Sequence, residues 1–128
     1  MTPKDIAHAF IKASEEGVFP SGLCCPDMTA WTTTQAEHSL EKYAGSIAWM
    51  RAATQGTLRF VIDAITAEDD RVVIEAHSSA RLRNDADYAN TYVFVLRLRD
   101  GRIAQVREHF NTAVVLEKLI PLLREGKD

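Results

Sequence analysis

One carboxylate is out of character with its neighbours. Over Arg102–Phe110 the side chains alternate, so that Ala104, Val106, Glu108 and Phe110 share one face and Gln105, Arg107, His109 and Asn111 the other. An acid on an apolar stripe is desolvated, which disfavours its charged form and raises its pKa unless a partner compensates. That is the condition for a general acid or base working near neutrality, and it makes Glu108 the first catalytic candidate. The plainer alternative is a buried Glu bonded to a Tyr, Trp or Arg, or held at a dimer interface. His38 is the second candidate. Thr34-Gln35-Ala36-Glu37 has the spacing of a capping box and predicts a helix from Thr34 to about Ala53, with His38 in its first turn. There the positive end of the backbone dipole favours the neutral imidazole, suited to act as a base or acceptor.

Trp31, Met50, Phe60, Tyr92 and Phe94, with Phe110 beside Glu108, supply the flat or flexible apolar surface that lines small-molecule sites and equally builds a core. Tyr92 adds a hydroxyl that needs a partner. Asn111 either donates an amide hydrogen bond or caps the helix that follows it. Other chemistries find no support. The four His are scattered without an HxH or HExxH spacing, so no metal site is expected, and neither a Gly-rich phosphate loop nor a Ser/Cys nucleophile motif appears. The adjacent Cys24 and Cys25 are too strained a pair to bridge and are read as reduced thiols. His77 shares a mostly polar face with Val73, Glu75, Ser79 and Arg81, while Val72, Ile74, Ala76 and Ala80 form the apolar one. Asp63, on a face with Arg59, Val61 and Ile65, is read as half of a surface ion pair.

The elements that must position these groups follow from punctuation and period. Thr2 as N-cap, Pro3 at the first helical position and Gly17 after the last turn bound a first helix carrying Ile6, Phe10 and Ala13 on one face. Val18 to Thr33, with Pro20, Gly22 and Pro26, reads as a short helix or loop feeding a first brief strand. The second helix has the stripe Leu40, Tyr43, Ile47 and Met50 and breaks at Gln55-Gly56. Four strands follow over 57–66, 71–83, 91–99 and 102–110, joined by turn signals at Glu68-Asp69-Asp70 and Asp100-Gly101 and by a polar connection over 84–87. A last helix begins at Asn111 or Thr112 and is expected to bury Val115, Leu116, Leu119, Leu122 and Leu123 despite Pro121. Helices first, then antiparallel strands and a closing helix, is an α+β order, and 128 residues are one domain's worth, read as a single domain over 1–128. A net charge of −3 argues against nucleic acid and anionic membranes as partners. The first residues lack the continuous apolar stretch of a signal peptide or spanning helix, so a cytoplasmic location is expected.

The closing hairpin and helix, with Asp100-Gly101-Arg102-Ile103 leading to Arg107-Glu108-His109-Phe110-Asn111, resemble those of SnoaL-like proteins in the nuclear transport factor 2-like, ketosteroid isomerase-like superfamily. The resemblance implies a cone: a curved, mainly antiparallel sheet packed on three helices around an internal apolar pocket, commonly in a homodimer. It also implies acid/base chemistry such as isomerisation, dehydration, cyclisation or condensation on a small hydrophobic or aromatic molecule, with no cofactor. The alternative is a non-catalytic ligand-binding or dimerisation module of the same shape. In the phenazine-biosynthesis A/B proteins of this group, a stretch similar to Arg107–Asn111 puts a glutamate in the pocket as an acid. A stretch similar to Ala36–Tyr43 places a pocket histidine near His38. The polyketide cyclases' acid falls at Asn111, which cannot exchange a proton. The ketosteroid isomerase base falls within Met28–Thr34, which holds no acid, and the first helix has no Tyr. A dimer is expected to pair the strand faces carrying Val93, Val95, Arg97, Arg99 and Gln105.

Overall fold

The computed structural model describes residues 1–125. Helix α1, Pro3–Glu16, starts on a reciprocal cap in which Thr2 Oγ1 accepts from the Asp5 amide (3.1 Å) and Asp5 Oδ2 from the Thr2 amide (2.9 Å). It stops at Gly17, whose φ of 78° suits a residue without a Cβ. Strand β1, Cys24–Thr32, and the two-residue β2, His38–Ser39, precede helix α2, Leu40–Ala53. The strands β3, Arg59–Glu68, β4, Arg71–Arg81, β5, Asp87–Arg99, and β6, Arg102–Phe110, form the β-rich half. The chain closes with α3, Thr112–Val114, a π-helical turn over Val115–Leu119, and α4, Ile120–Glu125.

The six strands make one sheet in the order β2-β1-β6-β5-β4-β3, antiparallel throughout except for the parallel β1/β6 pair. It is the expected curved, mainly antiparallel sheet with helices on its inner side. Two bulges help curve it. In β3, Ile62 pairs with Ala76 and Ala64 with Glu75, leaving Asp63 over; in β6, the register skips Ala104. Each bulge resets the alternation. Ile65 therefore turns inward with Phe60 and Ile62 instead of sharing the face of Asp63, and Ile103, not Ala104, is the fully buried residue at the base of β6. The main core joins Ile6 and Phe10 of α1 to Ile74, Phe94, Leu96 and Val106 of the sheet. A second cluster unites Ala53, Leu82, Tyr88, Leu119 and Leu122 under the C-terminal segment.

Three expectations about the elements are corrected. Thr34 does not cap α2: Thr32 draws Gln35 into a tight loop, donating through its amide to the Gln35 carbonyl (3.0 Å) and accepting the Gln35 amide on Oγ1 (3.0 Å). Ser39 caps instead, accepting from the Lys42 amide at 3.2 Å, so His38 lies in β2 and not in a helical turn. Strand β5 starts at Asp87, four residues before Thr91, because Tyr88 and Asn90 continue the inward face of Tyr92. The last helix is not a uniform α-helix. Pro121 has no N–H to offer the turn before it and crowds the carbonyl four residues back; the chain widens there, with the Ile120 amide reaching Val115 O. Leu119 and Leu122 are buried as expected, whereas Leu116 and Leu123 are exposed.

Candidate functional site

Between the concave sheet face, α2 and the C-terminal segment lies a cavity of about 390 Å³. Glu108 reaches its wall from β6, opposite Phe94 in register, where alternation places it inward. Across from it, α2 brings up Tyr43, whose hydroxyl donates to Glu108 Oε1 at 2.6 Å. Glu108 Oε2 has no hydrogen-bond partner among the described residues. Burial pushes the Glu108 carboxyl from 4.5 up to about 7, and the Tyr43 hydrogen bond holds it back from rising further. The Tyr43 hydroxyl is itself raised well above its ordinary value, first by burial and then by the neighbouring carboxylate. The pair is thus a neutral phenol donating to a carboxyl poised between its two protonation states near neutrality.

A second polar group lies beside it. Tyr92, which pairs with Phe110, is a diagonal neighbour of Glu108 on the same face, roughly 7–8 Å away by strand spacing. Its hydroxyl contacts Ser78 Oγ and Tyr88 OH, both at 3.0 Å. Asn90 donates its amide to Tyr88 OH (3.1 Å) and to the Asn111 carbonyl (3.2 Å), and its Oδ1 accepts the amides of Thr91 and Asn111. Burial raises both tyrosines, so they remain protonated donors. The rest of the wall is apolar, with Met50, Phe60, Phe94, Phe110 and Leu119 among its members, and Phe60, Tyr92 and Phe94 packing ring to ring at 5.1–6.0 Å.

Of the residues singled out in the sequence, Glu108, Met50, Phe60, Tyr92, Phe94 and Phe110 line this cavity. His38, Trp31 and Asn111 are not among its lining residues. His38 lies just behind Tyr43, ring centres 6.0 Å apart, with Nδ1 donating to Ala36 O at 2.8 Å and a buried Nε2 that has no partner among the described residues. Trp31 faces the other side of the sheet, because Met28, Ala30 and Thr32 take the buried positions of β1; Arg107 lies over its ring at 4.7 Å and His109 beside it at 4.9 Å. Asn111 caps α3, accepting from the Ala113 amide at 3.0 Å, and borders a hollow on the outer face with Asp63, Glu75, Thr91 and His109. His77 is exposed there too, bonded to Asp63 at 2.9 Å. Tyr43, Tyr88, Ser78 and Asn90 were not singled out. The signal for Tyr43 was its four-residue spacing from Ile47, and for Tyr88 and Asn90 the alternation running back from Tyr92. Among the described residues no cluster of three or more His, Cys, Asp or Glu side chains has the arrangement to hold a metal ion. Cys24 is a free thiol pushed up to about 11 by burial and the adjacent Cys25.

A family model described as a SnoaL-like domain matches residues 21–106, more than half of the sequence, and the chain belongs to that family. No curated protein matches the sequence. Among solved structures, a putative polyketide cyclase from Streptomyces antibioticus is similar with a TM-score of 0.78 and 17% identity, over 93% of this chain and 99% of its own. A putative hydroxylase from Streptomyces galilaeus gives 0.78 and 18%, over 91% and 83%. A protein of unknown function with a cystatin-like fold from Xanthomonas campestris gives 0.72 and 23%, over 89% and 95%. Identities this low carry the fold and no particular reaction. Among the described residues no helix is long and apolar enough to cross a membrane.

Proposed function

We propose that this SnoaL-like protein is an acid/base enzyme acting on a small hydrophobic or aromatic molecule held in the cavity, with Glu108 as the group that takes and returns the proton. The observation that carries this reading is a carboxyl with a pKa of about 7, one oxygen held by Tyr43 and the other without a protein partner, on the wall of a cavity of about 390 Å³. Isomerisation, dehydration, cyclisation and condensation all need such a group. His38, packed with its ring centre 6.0 Å from that of Tyr43 and outside the cavity lining, is given no contact with the substrate in this reading. The competing reading, a non-catalytic ligand-binding or dimerisation module, expects a carboxylate fully satisfied by protein groups and a pocket that is small or filled; the unbonded Oε2 and the open volume favour catalysis.

The test needs no native substrate. 5-Nitrobenzisoxazole is a small planar aromatic from which a base removes the ring C–H proton; the N–O bond breaks and a coloured cyanophenolate forms. The protein is expected to accelerate this opening, with a rate that rises as Glu108 ionises through about pH 7, and Glu108→Gln is expected to remove the acceleration. Equal rates for the two proteins would sink the assignment. We extend the reading to a cytoplasmic homodimer. The free thiols of Cys24 and Cys25 suit a reducing compartment, and Val61 and Val93 stand exposed on the outer sheet face, where a second copy would cover them.

A further inference from the structure

The cluster beside Glu108 has one proton more than it can place. Asn90 is fixed by its own bonds: Oδ1 already accepts two backbone amides, so its nitrogen is the donor toward Tyr88. Ser78, Tyr88 and Tyr92 then hold three hydroxyl protons between them. They share two contacts, Ser78 with Tyr92 and Tyr88 with Tyr92, and no other hydrogen-bond acceptor among the described residues meets any of the three hydroxyls. Each contact consumes one proton whichever partner donates. One hydroxyl proton is therefore left over in every arrangement. Chains of this kind shift together: the surplus is on Tyr92 if it accepts from both neighbours, on Tyr88 if Tyr92 donates to it, and on Ser78 if Tyr92 donates there, so two of the three arrangements present it from a tyrosine and an acceptor in the cavity draws the chain into one of those two. Both tyrosines line the cavity and Ser78 does not.

We infer that the ligand of this cavity carries an oxygen acceptor of the carbonyl type, seated against Tyr88 and Tyr92 within reach of Glu108. A buried donor without an acceptor is costly, so the site selects a molecule that brings one. A neutral carbonyl fits better than an anion, because an anion there would stand next to Glu108 whenever that group is ionised. The inference deepens the proposed function in naming the substrate class. It rests on the reading that the cavity takes a small molecule, and not on Glu108 being the base.

The experiment compares two probes of nearly equal shape, 2-acetylnaphthalene and 2-ethylnaphthalene, on the wild-type protein, on Ser78→Ala and on the double variant Tyr88→Phe/Tyr92→Phe. In the wild type the carbonyl stretch of bound 2-acetylnaphthalene is expected at lower frequency than in an apolar solvent, a readout that needs no variant to fold. The double variant is expected to lose that shift and to change the ketone-to-hydrocarbon affinity ratio against the ketone by roughly fivefold, the worth of one neutral hydrogen bond. Ser78→Ala removes one proton and one contact together, so one proton is still left over and the shift and the ratio are expected to persist. An unshifted carbonyl in the wild type, an unchanged ratio in the double variant, or loss of the preference in Ser78→Ala overturns the inference, whatever happens to 5-nitrobenzisoxazole. Failure of both naphthalenes to bind overturns it together with the cavity reading. Loss of ring opening alone leaves it standing.

Discussion

Replacing Glu108 with Gln removes a group whose proton affinity differs between the folded and unfolded chain, and the consequence for stability has a definite sign. The carboxyl titrates near 4.5 when solvated and at about 7 in the fold. At about 1.4 kcal/mol per tenfold change in proton affinity, the ionised form is disfavoured in the fold by at most about 3.5 kcal/mol. Because the folded pKa is raised, the native state binds more protons than the unfolded chain between those two values, and stability falls as pH rises through that window. Below about pH 4.5 both states are protonated and no penalty exists; above about pH 7 it is complete. Gln keeps the shape and can still accept from the Tyr43 hydroxyl, but it cannot ionise. Urea unfolding of both proteins at a series of pH values is the assay. The two are expected to be about equally stable at the acid end, with Glu108→Gln gaining steadily until it leads by about 2–3 kcal/mol above neutrality. All other titrating groups are common to both and cancel in the difference. A difference that does not vary with pH, or one that grows in favour of the wild type at high pH, would refute the burial argument.

Two other outcomes follow from the same geometry. Tyr43→Phe removes the hydrogen bond that holds the Glu108 pKa down, so the carboxyl is expected to titrate still higher, followed by its side-chain carbon shift in NMR, at a stability cost of about 1 kcal/mol. Ser39→Ala is expected to cost about 1 kcal/mol in urea unfolding and Thr34→Ala almost nothing, since Ser39 and not Thr34 accepts a helix amide.

The order of elements and most of the inward faces were legible because they rest on local chemistry. Thr2, Pro3 and Gly17 bound α1 by cap and backbone conformation alone, and Asp100 and Gly101 take φ values of 53° and 74° as the hairpin turn demands. Glu108 could be found because it breaks an apolar stripe. What escaped reading was decided by competition or by partners distant in sequence. Ser39 takes the helix cap that the spacing gave to Thr34, and Thr32 closes the loop before it on Gln35. The bulges at Asp63 and Ala104 flip the alternation without any residue type to announce them. Tyr43 and Glu108 are 65 residues apart, and only the folded sheet brings them to 2.6 Å.

The π-helical turn at Val115–Leu119 has a consequence for how this interior can be altered. Such a turn holds one residue more than the α-helix it interrupts, so it sets the rotational phase of everything after it. Deleting a single residue there would restore α-helical winding and rotate α4 by about 100°. Leu122 would leave the second core cluster, and Ile120 and Leu123 would quit the cavity wall. On this side the volume is set by chain length as well as by side-chain identity, so insertions and deletions can recut one wall while Glu108, Tyr43 and the tyrosine cluster, all carried on other elements, stay where they are.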